Sequence, residues 1–151
     1  MRPSVEIVGM VGVILSLVFV AVELRQNTVS TQAQSVLELN VAMNEIMISI
    51  AENDELAELL SRNKSEVNLP PAEALQLQQY AYASMNVFES AHVFHTKDLM
   101  DESDYDGWRD ATCMFVALPA INRLWRDGHI TLNLRFTEFV NTECLGLATA
   151  P

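Results

Sequence analysis

The sequence predicts an all-α protein, in which an N-terminal transmembrane helix continues into a long helix and a compact antiparallel helical bundle follows. Three observations lead there. An apolar run near the N-terminus has the length of a membrane span. Neither Gly nor Pro interrupts the chain between Gly12 and Pro70. β-branched residues are few after residue 50, and no alternating strand pattern is sustained there.

The apolar run explains the composition. The chain has 151 residues, 50% of them hydrophobic, yet its net charge is −11, with 20 acidic residues against 9 basic. Val5 to Val22 carries a single charge, Glu6, and Ile7 to Val22 carries none. The uncharged part spans roughly 24 Å as helix, and the flanks to Leu24 bring it to about 20 residues, enough for a bilayer core. Arg2 followed by Glu6 makes a poor signal-peptide start, and Phe19 to Glu23 a poor cleavage context, so a retained anchor is expected. The division is then an anchor over 1–24, an acidic helical domain over 25–145 and a tail over 146–151. Gly9, Gly12 and Ser16 form a small-residue groove against which another membrane helix can pack. Arg2 on one side and Arg25 on the other leave the orientation open.

Beyond the anchor, the body keeps almost the whole negative charge. It therefore lacks the clustered Lys and Arg that nucleic-acid binding needs, and nucleic acid is excluded as a partner. Val36, Leu39, Met43, Ile46 and Ile50 form a heptad-like seam, either one face of a helix packed on its own domain or a self-association seam. Asn53 caps a short helix over 54–61, whose Asp54 and Glu55 suit the positive end of the helix dipole. Arg62 to Leu69 is polar and predicts a surface loop. Pro70-Pro71 starts a helix running to about Lys97, with Leu77, Ala81, Met85, Phe88, His92 and His95 along one face.

Asp98 to Asp106 then forms an acidic hinge, and the next helix runs from near Tyr105 to Leu118 with Trp108, Ala111, Phe115 and Leu118 on one side. Pro119 restarts the chain as a helix over 120–127, with Gly128 just past its end. Asn133 caps a last helix ending near Cys144. Ile130 to Phe136 alternates, but a lone strand without a partner is not expected.

Candidate chemistry is sparse. Glu89-x-x-His92, followed by His95, is half of a di-metal carboxylate motif, and Glu45 on the earlier helix could bridge a transition metal with them. A hydrogen-bonded core histidine explains the same residues. The acidic hinge lacks the alternating ligands and closing glutamate of a calcium loop. Cys113 and Cys144 sit in no zinc or nucleophile motif, and either pair in an oxidising space or stay as thiols in a reducing one. No G-x-S-x-G or phosphate-cradling glycine loop occurs. No catalytic residue and no cofactor are assigned.

Leu15 to Ser35, LSLVFVAVELRQNTVSTQAQS, resembles the opening of a widespread group of small uncharacterised bacterial single-span membrane proteins, in which an apolar helix runs into an E/Q-L-R-Q-N-T stretch. Further pieces agree in order: Asn53 to Ala57, Phe88 to His92, Gly107-Trp108-Arg109, Arg123 to Arg126, and Phe136 to Val140. This chain departs in its scarcity of basic residues across the middle. The resemblance implies a bacterial inner-membrane location and a recurrent Glu89/His92 pair, and brings no catalytic residues with it. Physically, Arg25, Gln26 and Asn27 read as a polar collar where the span ends, with Arg25 snorkelling to headgroups and Asn27 able to bond a neighbouring helix.

The expected function is a membrane-anchored interaction or assembly protein. Its partners would be membrane lipid and either itself or another integral membrane protein, as a homo-oligomer or an accessory subunit. The alternatives are a metal-binding bundle using Glu89, His92 and His95, and a sensor that binds a small apolar ligand between its helices.

Overall fold

α1 runs unbroken from Pro3 to Ala51, 49 residues and about 74 Å at 1.5 Å per residue. The computed structural model describes residues 3–62 and 69–147, with side-chain surroundings from residue 9 onward. Arg2, most of the expected Arg62 to Leu69 loop and most of the tail lie outside that range. Between Gly9 and Ala51, α1 includes a window of mean hydropathy 1.7 that is not buried at all inside the protein. By length and composition, this one described helix could cross a membrane.

The bundle wraps the distal half of α1. Asn53 accepts the Leu56 amide on Oδ1 (3.0 Å) and starts α2, Asp54–Arg62. α3, Pro71–Thr96, begins on a proline that has no amide to lose and returns antiparallel to α1. Its first turns lie near Ile46 and Asn53, and its last turn near Gln32, whose Nε2 donates to the Asp98 carbonyl (3.2 Å). α3 therefore descends toward the span, and α4, Glu102–Val116, climbs away from it. Phe88 meets Trp108 and Phe115 at ring-centre distances of 6.3 and 5.5 Å, and Tyr80 meets Phe115 at 5.9 Å.

α4 starts a turn earlier than the sequence suggested. Asp101 accepts the Asp104 amide and the Ser103 hydroxyl (2.9 and 2.8 Å), so it caps the helix, and Glu102 and Asp104 occupy the first turn. The expected hinge shrinks to the residues around Asp98. Asp98 takes the left-handed conformation (φ 58°) that usually belongs to glycine. Its amide bonds to the His95 carbonyl and that of Leu99 to Phe94, closing the end of α3. Gly128 (φ 73°) ends α5, Pro119–Arg126, by the same pair of bonds, from its own amide to Trp125 and from His129 to Leu124.

The expected last helix divides in two. Asn133 caps α6, Leu134–Phe139, by accepting the Phe136 amide. The chain then widens into a π-helical turn, Val140–Cys144, where the Leu145 amide reaches back to Val140. Within that turn Asn141 accepts the Trp125 indole N–H (2.9 Å), and Cys144 forms a disulfide with Cys113 of α4.

Two clusters make the core. The larger joins Leu59, Leu77, Ala81, Met85, Val116, Ile121, Trp125, Phe136 and Val140. The smaller, nearer the span, joins Leu39, Val87, Ala91, Met100 and Tyr105. On α4 the deepest side chains are Tyr105, Thr112 and Val116, while Trp108, Ala111 and Phe115 pack half-buried beside them and Leu118 is exposed.

Candidate functional site

The Glu89/His92/His95 triad occupies the end of α3 nearest the apolar part of α1, where Glu89 meets Asn133 and both histidines meet Tyr105. Glu89 accepts the Asn133 backbone amide on Oε1 (2.7 Å), tying α3 to the start of α6. His92 Nδ1 lies 2.7 Å from the Tyr105 hydroxyl, and its ring stacks on Phe139 at 4.8 Å. His95 lies flat on the Tyr105 ring (4.1 Å, 2°), with Nε2 at 3.4 Å from Glu102. Its Nδ1 is buried and has no hydrogen-bond partner.

The electrostatics fit a packed polar joint. Burial pushes the Tyr105 hydroxyl up to about 12, so it keeps its proton beside His92 Nδ1. Burial, and after it the neighbouring His95, holds His92 below its ordinary 6.5, against a smaller opposing pull from Glu89. At neutral pH the His92 ring is therefore neutral. Among the described residues, no group of three or more His, Cys, Asp or Glu side chains is arranged to hold a metal ion. Glu45, the expected bridging carboxylate, is exposed on α1. The three residues lock α3, α4 and α6 together, each through a separate contact.

The helix-contact residues divide differently. Leu39 is 3% exposed, and Val36, Met43, Ile46 and Ile50 pack half-buried against the two cores, so the seam is covered by the protein's own bundle. Gly9, Gly12 and Ser16 are exposed, and the Ser16 hydroxyl turns back to the Gly12 carbonyl (2.8 Å). That leaves the groove without a dangling donor. Arg25 and Asn27 are exposed at the span's end, where Thr28 and Thr31 also return their hydroxyls to α1 carbonyls.

Sequence periodicity missed a second apolar stripe. Leu37, Val41 and Ile48 are 62%, 48% and 53% exposed. At about 100° per residue they fall within roughly 80° of Gly9, Gly12 and Ser16, and roughly 180° from the buried seam. The side of α1 that carries the small residues thus continues as an exposed apolar stripe along the back of the bundle. A three-residue stripe interrupted by polar positions gives no periodic signal of its own. It stands out only once the other side of α1 is known to be covered.

Comparison with protein-family models, with curated proteins and with solved structures finds no match to this chain. The class that the fold supports is a helical bundle built on one long helix that could span a membrane.

Proposed function

We propose that this chain is a single-span membrane protein whose task is assembly, through the open face of α1. The carrying observation is the continuity of that face. Small residues in the span let a second helix approach closely, and Leu37, Val41 and Ile48 extend the same apolar side outside the bilayer. A second copy anchored in the same membrane stands parallel to the first, so equivalent faces meet along their whole length. Asn27 shares this side of the helix and adds a polar contact at the boundary. The resemblance to small bacterial single-span proteins supports an inner-membrane home.

The Cys113–Cys144 disulfide supports the bundle standing on the oxidising side, with the N-terminus in the cytoplasm. In spheroplasts, reduction should make both thiols reactive toward a membrane-impermeant maleimide. Thiols that stay unlabelled in reduced spheroplasts and react only once the membrane is permeabilised would put the bundle on the other side.

The test of assembly is the mass of the chain in a mild sugar detergent by light scattering. Above-monomer mass for the native chain, and monomer for Val41→Lys/Ile48→Lys with an unchanged melting temperature, is the expected result. A strictly monomeric native chain, in detergent and in native gels of the membrane, would overturn the reading.

A further inference from the structure

A pocket of about 470 Å³ opens at the span-proximal end of the bundle, between the last turns of α3 and the start of α6. His92, Thr96, Lys97, Asn133, Leu134 and Arg135 line it. Its charge is opposite to that of the protein. Nine basic residues face twenty acidic ones, and four of the seven described cations are engaged: Arg123, Arg62 with Glu58 and Glu73, Arg109 with Glu102, Asp106 and Asp110, and Arg126 with Asn122. Lys97 and Arg135 form no ion pair among the described residues, and both stand on this pocket. The negative end of the α3 dipole accounts for a lysine at position 97, but not for an arginine on a different element across the pocket.

The neutral groups are uncommitted as well. Tyr105 occupies His92 Nδ1, which leaves Nε2 open to a ligand. Asn133 uses its Oδ1 on the Phe136 amide, which leaves its Nδ2 free. Glu89, the carboxylate beside them, is held by the Asn133 backbone amide. An ammonium, a guanidinium, an imidazole nitrogen and an amide N–H therefore share one pocket. A carboxylate offers two oxygens to four such groups; a phosphate offers three or four. Leu134, 82% exposed at the rim, adds an apolar surface for whatever carries the phosphate.

We propose that this pocket binds the phosphate of a small ester or of a phospholipid headgroup. Both sources can reach it. Gln32, which touches the Asp98 carbonyl beside Lys97, lies eight residues past Leu24, roughly 12 Å beyond the hydrocarbon edge and about 5 Å outside a headgroup layer, a gap that a long Lys97 or Arg135 side chain can bridge. Only the lipid source rests on the single-span reading, so the two sources are tested separately.

The full-length chain in a phosphate-free sugar detergent is titrated by calorimetry with glycerol phosphate, and native mass spectrometry counts phosphatidylglycerol retained from mixed micelles. Saturable binding of one molecule per chain by either probe is expected. Lys97→Gln/Arg135→Gln should weaken it at least about tenfold, since each charge-assisted bond removed is worth that much. Both side chains are exposed, so the variant should keep the native melting temperature, and Lys97→Arg should retain binding. Binding of glycerol phosphate identifies a soluble ester as sufficient; retention of lipid alone identifies the headgroup. No saturable binding of either probe, binding unchanged in the double variant, or equal displacement by chloride would overturn the proposal. Failure of the assembly test would leave the glycerol phosphate result standing.

Discussion

The two sides of α1 are built from similar residues and have opposite fates. Leu39 and Leu37 sit two positions apart on one helix; the first is 3% exposed and the second 62%. The difference lies in what packs against them. α3 returns along the Leu39 side, and its Val87 and Ala91, with Met100 from the turn before α4, hold it. Nothing among the described residues covers Leu37. An apolar side chain on a helix is thus a structural element or a contact surface according to its neighbours, not its identity.

The contrast is sharpest in stability. Leu39→Ala should cost about 2–5 kcal/mol in urea unfolding of the detergent-solubilised chain, because its packed neighbours cannot collapse into the void. Leu37→Ala should change stability by no more than about 0.5 kcal/mol, as for an ordinary exposed position. Similar losses for the two would mean that the α1 faces are not distinct.

The disulfide tests whether the bundle's cohesion is separate from the open face. It links positions 31 residues apart in sequence, so Cys113→Ser/Cys144→Ser should lower stability by about 2–4 kcal/mol. Assembly through the far side of α1 should survive under conditions where the variant is still folded, as read by light scattering. A smaller effect falls where α2 leaves α1. Asn53→Ala loses the cap on the Leu56 amide and should cost about 1 kcal/mol in thermal unfolding.

The smallest effect is a pH slope from His92. Its pKa is lowered in the folded state, so the unfolded chain binds the proton first. The His92 contribution is full above pH 6.5 and declines as the pH falls through the window below that value. His92→Gln should flatten part of the slope in stability measured across that window. A slope of the opposite sign, with stability rising on acidification, would mean that Glu89 outweighs burial at this site.

Much of this was legible in the sequence because it depends on near neighbours. Pro71, Pro119, Asn53, Asn133 and Gly128 mark helix ends by backbone chemistry that acts within a few residues. Asp98 was harder to read, because a left-handed aspartate has no unambiguous sequence mark; its place follows from the amide bonds it makes. The π-helical turn has none either: it allows Asn141 to meet Trp125 and Cys144 to meet Cys113, both distant in sequence. Glu89, His92 and His95 were visible as a spacing, yet spacing on one helix cannot tell that Asn133, Tyr105 and Glu102 arrive from elsewhere to occupy them.

By itself the sequence determined the all-α class, the apolar segment and the helix ends marked by Asn53, Pro71, Pro119, Gly128 and Asn133, since hydrophobic length, breaker placement and capping are local properties of a chain. Tertiary structure alone decided which side of α1 is covered, that Cys113 meets Cys144, and that Lys97 and Arg135 line one pocket in an otherwise acidic body. Those outcomes depend on residues far apart in sequence becoming neighbours, and helix-to-helix packing supplies that proximity.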